Sequence, residues 1–192
     1  MSILRLVLLV LLITLPLPVL GSSPSRPYTG RGTLIIPSSA LSTDAGLYEY
    51  PGVRLIRTVL VADLPSLAAS IPLKGGGIAL ATVALREGYA RVTVAASGEA
   101  EWLALRENWQ ILSWERFLKG KSIRLEAGLR DASYQLKQIP AEAGNGVGLT
   151  SADAVLVVED IKEDWALIRD GKATSGWLRW RDGDGRLMVM VE

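Results

Sequence analysis

The chain has 192 residues but no cysteine and no histidine, and these two absences exclude much of catalytic and metal chemistry. Without them there is no Ser-His-Asp triad, no Cys-His dyad and no ordinary zinc site. Ser122 beside Lys121 remains as a nucleophilic option, but adjacent side chains of a strand point to opposite faces. Since no disulfide can form, apolar burial alone has to stabilise the fold. We therefore predict no catalytic residues, no metal and no cofactor.

The chain also lacks an excess of charge of one sign, with 21 basic residues against 20 acidic ones. Proteins that bind nucleic acid need a basic field that neutralises phosphates. Arg116, Lys119, Lys121 and Arg124 could form a local basic patch, and a solvated linker surface is the alternative interpretation of these residues. We predict no nucleic-acid partner.

A hydrophobic run occurs at the N-terminus, where Arg5 precedes an almost unbroken apolar stretch over residues 6–15. Pro16 and Pro18 then end the run, well short of the roughly 20 apolar residues that a membrane span needs. This layout predicts a secretory signal peptide over residues 1–21, with an uncleaved anchor as the alternative. No cysteine follows for lipid attachment. We predict an exported protein, periplasmic or extracellular, with no stable membrane span after cleavage and no lipid anchor.

An aromatic pattern occurs twice in the rest of the chain. In the second half, Trp165–Ile168 is followed by a turn and then by Gly176–Leu178. In the first half, Tyr89–Val92 is followed by a turn through Gly98 and then by Glu101–Leu103. Repetition on this scale indicates two similar structural units, and a chance likeness between two β segments is the alternative.

Short apolar runs between turn residues predict a compact all-β chain. The predicted strands are Gly46–Tyr50, Ile78–Leu85, Tyr89–Val94, Ala100–Leu105, Gln110–Trp114, Ala154–Ile161, Trp165–Arg169, Ser175–Trp180 and Leu187–Val191. The unbroken apolar run at 154–161 favours a strand that is covered on both faces over part of its length. An extra strand at Ser122–Leu125, a helical turn near Pro65–Ala69 and a hairpin turn at Asp182–Gly185 complete the prediction.

In these segments the chain resembles the bacterial Src-homology-3-like family. The second copy carries the family's pattern as Pro140, Leu149, Val155–Val158, Trp165–Ile168 and Gly176–Leu178, and the first copy as Pro51, Leu73, Gly75–Gly77, Tyr89–Val92 and Trp102–Leu103. The first copy departs from the pattern by having Tyr89 for the first Trp and Glu101 for the Gly before the second. The resemblance implies two tandem five-stranded Src-homology-3-like barrels that bind peptidoglycan, peptides or an envelope protein without catalysis.

The predicted organisation has four parts after the signal peptide. They are a loose leader at residues 22–45, a first barrel at 46–115, a linker at 116–132 and a second barrel at 133–192. The resemblance predicts a binding module for a cell-wall component, a peptide or an envelope protein. A structural or assembly factor with tightly packed barrels and no small-ligand groove is the alternative, and the sequence determines neither the ligand nor the oligomeric state.

Aromatic side chains are the candidates for binding, because the resemblance implies a shallow groove lined by aromatics. Trp102 and Trp177 occupy matched positions of the two copies and are the first candidates, with Tyr50 and Tyr134 as neighbours. Trp180 lies three residues after Trp177, so the two side chains should face opposite sides of their strand. One should be in the core and the other exposed or between the units. Burial is the alternative for all five.

Overall fold

The chain folds into two antiparallel β-sheets, which confirms the prediction of an all-β protein. The computed structural model describes residues 26–67, 70–94, 99–171 and 174–192. The predicted signal peptide, the turn through Gly98 and the end of the predicted helical turn near Pro65 lie outside these ranges. None of the helices in the described ranges is long and apolar enough to cross a membrane.

The described residues contain fifteen strands and two short α-helices. The first sheet contains β1 Gly32–Ile36, β2 Asp44–Tyr50, β3 Arg54–Leu60, β4 Ser70–Pro72, β5 Ile78–Arg86, β6 Tyr89–Thr93, β7 Ala100–Ala104 and β8 Gln110–Leu112. The second contains β9 Ser122–Leu125, β10 Gln135–Lys137, β11 Gly146–Leu149, β12 Leu156–Lys162, β13 Trp165–Arg169, β14 Ser175–Arg179 and β15 Val189–Val191. The helices are α1 Leu64–Leu67 and α2 Trp114–Leu118, and 3₁₀ turns occur at Ser38–Ala40, Val61–Asp63 and Asp131–Tyr134.

The two sheets have the same strand order. It is β3-β2-β7-β6-β5-β1-β8 in the first sheet and β11-β10-β14-β13-β12-β9-β15 in the second. Each strand of the second sheet thus has a counterpart at the same place in the first, and the chain visits them in the same sequence. The short β4, which pairs with β5, is the additional strand of the first sheet. The repeat predicted from the aromatic pattern is therefore present in the topology.

The residue register repeats as well. Thr82 of β5 pairs with Val92 of β6, and the matching residues Val158 of β12 and Ile168 of β13 pair in the second sheet. In both sheets the register shifts immediately after this pair, as at a β-bulge. Equivalent bulges bend the two hairpins at the same point, so the two copies share local geometry as well as strand order.

Two strands lie outside the units that the sequence predicted. β1 falls in the predicted leader, but it pairs with β5 on one side and β8 on the other, and Leu34 and Ile36 are fully buried. The leader is therefore not loose over residues 32–36. β9 falls in the predicted linker and pairs with β12 and β15, which confirms the extra strand at Ser122–Leu125. With these strands included, each sheet exceeds the five strands predicted for each unit.

β3 forms an edge of the first sheet, in a segment where the sequence analysis predicted no strand. It pairs with β2, and six of its seven residues are exposed. A strand exposed on both faces has no need to alternate apolar and polar residues. The run Arg54–Leu60 mixes both kinds without a period of two, so the pattern does not reveal it.

β5 is the strand through which the two sheets share a core. Leu80 lies in a buried cluster of the first sheet, whereas Ala79 and Ala81 point the other way into the cluster of the second sheet. Cover on both faces was predicted instead for part of residues 154–161, and it is absent at Val155 and Val157, which are exposed. The small side chains of β5 let the second sheet approach closely, and the two units pack as one body.

Residues 26–30, here named the N-terminal strap, run along the second sheet before the chain enters β1. The Thr29 amide donates to the Gly185 carbonyl at 2.8 Å, and Tyr28 forms an antiparallel bridge with Arg186. The Arg186 guanidinium also lies 3.9 Å from the centre of the Tyr28 ring. The strap thus ties the start of the first sheet to the hairpin at Asp182–Gly185, where the structure confirms the predicted turn.

Candidate functional site

Trp102 lies on the outer face of the first sheet. It stands in β7 directly opposite Tyr48 of β2 and Arg91 of β6. Directly opposed residues of an antiparallel pair share a face of the sheet, so these three side chains are neighbours. The next residue of β7, Leu103, is fully buried. The alternation along β7 therefore keeps Leu103 in the core and leaves Trp102 half-buried at the surface.

A shallow groove of about 550 Å³ contains two of the predicted residues, Trp102 and Tyr50. Its lining residues are Glu49, Tyr50, Pro51, Ile56, Arg86, Arg91, Ala100, Glu101 and Trp102. The Tyr50 side chain is 60% exposed, so aromatic surface is open to a ligand. We name this feature the first-unit groove.

The two carboxylates of the first-unit groove are already paired with arginines that do not line it. Glu49 forms an ion pair with Arg54 at 2.6 Å, and Glu101 forms one with Arg57 at 3.1 Å. These pairs are at the surface, where each contributes little to stability. They do, however, neutralise the negative charge beside the aromatic rings.

The two arginines of the groove, Arg86 and Arg91, differ from its carboxylates. Among the described residues, neither Arg86 nor Arg91 forms an ion pair with a carboxylate; the Arg91 Nε donates to the Ala100 carbonyl at 3.3 Å. The groove therefore holds two positive charges that are not compensated. A guanidinium presents its N–H groups in a planar fork that matches a carboxylate or a phosphate.

Tyr48 and Tyr89 support this face beside the groove. Their rings pack edge to face, with centroids 5.5 Å apart and an interplanar angle of 85°. Tyr48 was not singled out from the sequence, although its spacing of two from Tyr50 in a strand was a usable signal. Arg86, Arg91 and Ile56 were also missed as site residues, because only the register of neighbouring strands brings them to Trp102.

Trp177 occupies the matching place in the second sheet, but its surroundings differ. It lies in β14 opposite Lys137 of β10 and Leu167 of β13, where the first sheet has Tyr48 and Arg91. The side chain is half-buried and does not line the first-unit groove. The arginine and the tyrosines that surround Trp102 are thus absent from the corresponding positions around Trp177.

Trp180 is buried between the sheets rather than in a groove. It is 2% exposed, its ring centroid lies 5.5 Å from that of Trp114 in α2, and its Nε1 donates to the Glu163 carbonyl at 2.9 Å. Of the alternatives for Trp177 and Trp180, burial therefore describes Trp180. An enclosed ring whose N–H is satisfied offers no surface to a ligand.

Tyr134 lies apart from the other candidates. Its hydroxyl donates to the Glu126 carbonyl at 3.0 Å, and its half-buried ring packs against the core of the second sheet. It lines a different surface pocket, beside Leu149 and Thr150. Of the five predicted residues, the first-unit groove thus joins Trp102 and Tyr50 and leaves Trp177, Trp180 and Tyr134 elsewhere.

The described residues contain no group of three or more Asp or Glu side chains arranged to hold a metal ion. Two of the four residues of the predicted basic cluster are paired: Lys119 lies 2.9 Å from Asp160, and Arg124 pairs with Glu192. Hydrogen bonding to Asp160 raises the pKa of Lys119, as expected for such a pair. Within the described part of the chain Arg116 and Lys121 form no ion pair, so half of the cluster's charge is compensated.

No protein-family model matches the sequence, and no curated protein matches it. Among solved structures, NlpC1 from Trichomonas vaginalis is similar over 88% of this chain and 53% of that chain, at 12% identity and a TM-score of 0.32. The endolysin LysPBC5 CBD is similar over 88% of this chain and 98% of that chain, at 14% identity and a TM-score of 0.25. The chain spans about half the length of the NlpC1 structure. Likenesses at this level carry no argument about function.

Proposed function

We propose that the protein is an exported, non-catalytic binding module whose first-unit groove recognises a carboxylate-bearing component of the cell wall. One observation carries the proposal. The partly exposed rings of Trp102 and Tyr50 line the same groove as two arginines that have no carboxylate partner in the described part of the chain. Apolar surface with a few convergent polar groups is the usual composition of a ligand site.

The chemistry of the groove divides the ligand into two parts. Trp102 and Tyr50 offer flat apolar faces with polar edges, on which a sugar ring or an alkyl side chain can pack. Arg86 and Arg91 offer charged N–H donors for carboxylates. Peptidoglycan combines both parts, since its glycan carries short peptides with free carboxylates. An uncharged polymer would leave the arginines unused.

A structural or assembly role remains the second candidate, and a different observation favours it. The buried cluster that includes Ala79, Ala81 and Trp114 is continuous with the core of the second sheet. Such a shared core makes the two units rigid relative to each other, as an assembly factor requires. The open first-unit groove is the feature that this role leaves unexplained.

Retention on isolated cell wall tests the proposal. The purified mature chain is mixed with wall sacculi, and the bound fraction is measured after sedimentation. We expect Trp102→Ala and Arg91→Gln each to lower the bound fraction. Trp177→Ala is the matched control, because it removes the corresponding tryptophan of the second sheet and leaves the first-unit groove intact. Circular dichroism of each variant is used to check that the fold is kept.

Two results would contradict the proposed role of the first-unit groove in wall binding. Retention of the Trp102→Ala protein at the wild-type level would show that the wall binds another surface. Absence of wild-type retention, together with recovery of one specific protein from an envelope extract, would favour the assembly role.

A further inference from the structure

A second cavity, of about 280 Å³, lies on the second sheet and is rich in charge. Its charged lining residues are Arg130, Lys137, Glu142, Arg179 and Asp182, and Trp165 forms part of its wall. We name it the second-unit pocket. It has no lining residue in common with the first-unit groove.

Arg179 is held in place within the second-unit pocket. It stands in β14 directly opposite Trp165 of β13, and its guanidinium lies 5.4 Å from the centre of the Trp165 ring. The side chain is 28% exposed, and its Nε is 3.2 Å from the Glu142 carboxylate. That Nε is buried and makes no hydrogen bond of good geometry. The guanidinium is thus oriented by the ring while its donor capacity stays partly unused.

The two carboxylates of the pocket differ in how firmly they are bound. Asp182 accepts from Arg26 at 2.7 Å and from the backbone N–H groups of Asp184 and Arg186, so its charge is satisfied by the N-terminal strap and the turn together. Glu142 is 70% exposed, and among the described residues it forms an ion pair with Arg179 alone. A pair this exposed is weak and exchangeable.

Lys137 adds a second positive charge on the same face. Lys137 of β10 lies opposite Trp177 of β14, and Arg179 follows Trp177 by two residues in β14. A diagonal neighbour of this kind is about 7–8 Å away between Cα atoms, which is within reach of two long side chains converging on one anion. Among the described residues, the side chains of Lys137 and Arg130 make no hydrogen bond and no ion pair.

From this arrangement we infer that the second-unit pocket binds the carboxylate of a small ligand, such as the C-terminus of a peptide, between Arg179 and Lys137. The ligand carboxylate takes the place that Glu142 holds in the free protein. The contact of Glu142 shows that a carboxylate fits against this guanidinium, and for that reason a carboxylate is preferred to a phosphate. The inference stands on the second sheet alone and does not rest on the first-unit groove.

The test is a titration of the full chain followed by the indole N–H resonance of Trp165 in NMR spectra. The probes are N-acetyl-alanyl-alanine with a free carboxylate, the same peptide as its C-terminal amide, and inorganic phosphate. We expect the free acid to shift the resonance in a saturable way and the other two probes to leave it unchanged.

Four variants sharpen the titration. Arg179→Gln should weaken binding of the acid by about tenfold or more, the usual effect of losing a hydrogen bond to a charged group, and Lys137→Gln should weaken it to a smaller extent. Glu142→Gln should strengthen it by about two- to fivefold, because the internal competitor is removed. Arg169→Gln is the control, since Arg169 is an exposed arginine of β13 that pairs with Glu159 outside the pocket.

Several outcomes would overturn the inference. Equal shifts by the acid and the amide would show that the carboxylate is not recognised. Binding of phosphate but not of the acid would show that the pocket takes phosphate rather than carboxylate ligands. If Lys137→Gln and Glu142→Gln both bind the acid with unchanged affinity, the inference is also overturned, even where Arg179→Gln fails to fold. By contrast, a Trp102→Ala protein that still binds the acid but not the wall would support the inference, because it would show that this pocket acts separately from the first-unit groove.

Discussion

Trp114 and Trp180 pack with their ring centroids 5.5 Å apart, and this contact joins the two sheets. Trp114 begins α2, directly after the last strand of the first sheet, and Trp180 follows β14 of the second. The Nε1 of Trp114 also donates to the Thr29 carbonyl of the N-terminal strap at 2.8 Å. One indole therefore contacts the second sheet and the strap at once, and we expect the two units to unfold together.

The first prediction concerns this contact. Trp180→Ala should lower the free energy of unfolding by about 3–5 kcal/mol, the usual cost of truncating a buried tryptophan. Trp177→Ala in the same strand should cost less, because Trp177 is only half-buried. Urea denaturation followed by circular dichroism measures both, and the wild type should show a single transition. Two separate transitions in the wild type would contradict the shared core.

The second prediction concerns Gly30, where the strap turns into the first sheet. Its φ is +57°, and a Cβ there would lie 2.3 Å from the Thr82 carbonyl oxygen. Gly128 has a comparable φ of +76° but open space around it. Gly128→Ala should cost about 1–2 kcal/mol from the left-handed backbone alone, and Gly30→Ala should cost clearly more, because the backbone of β5 has to move.

Thermal and urea denaturation of the two glycine variants give the comparison. The difference between them isolates the steric contact, since the backbone penalty is common to both. Equal stability losses would mean that the strap can shift away from Thr82 without breaking its hydrogen bonds to the second sheet.

The third prediction is a pH dependence of stability that arises at Asp182. Desolvation opposes its ionisation, but hydrogen bonds from the Arg186 backbone and from Arg26 outweigh this and hold its pKa below the ordinary 3.8. Because the folded pKa is the lower one, ionised Asp182 stabilises the fold fully above the unfolded pKa. That contribution is lost as the pH falls from about 4 through the lower, folded pKa.

Asp182→Asn should therefore reduce the slope of unfolding free energy against pH in this acid range. Asp153→Asn, at an exposed aspartate for which no hydrogen bond occurs among the described residues, is the control. The measurement is urea denaturation at a series of pH values from neutral to acid. If Asp182→Asn keeps the wild-type slope, the Asp182 carboxylate is not the source of the pH dependence of stability.

Sequence patterns predicted the strands in which apolar and polar residues alternate, and also the fully apolar start of β5, but they missed β1 and β3. The alternation in Trp165–Arg169 identified β13, and the matched residues of Tyr89–Thr93 identified β6. β1 was missed because its short apolar run follows Ser, Pro and Gly residues typical of a loop. β3 was missed because it is exposed on both faces.

The site was predictable to a similar degree and for related reasons. Trp102 was found because a repeated aromatic is visible in a single chain. Its arginine neighbours were not, because Arg91 reaches Trp102 only through the β6–β7 register, which depends on pairing between strands. Burial of Trp180 likewise depends on Trp114, which is 66 residues earlier in the chain.

The fourth prediction concerns the salt dependence of wall binding. If Arg86 and Arg91 contact carboxylates, binding of the wild type should weaken as ionic strength rises, since exposed charges are screened beyond about 10 Å at 0.1 M salt. The double variant Arg86→Gln and Arg91→Gln should bind more weakly and lose most of this salt dependence. Arg116→Gln, an exposed arginine of α2 that does not line the groove, is the control. An unchanged salt slope in the double variant would contradict the role of the two arginines.

The last prediction concerns the edge of the first sheet. β3 pairs with β2 and exposes apolar side chains, with Leu55 52% exposed. Exposed apolar edges of this kind promote pairing with other chains, so Leu55→Lys should reduce self-association at high protein concentration. Its unfolding free energy should change by less than about 0.5 kcal/mol. Val157→Lys is the matched control, because Val157 is similarly exposed but lies in an internal strand. Sedimentation velocity distinguishes the variants, and an equal effect of both would indicate general surface hydrophobicity rather than the edge of β3.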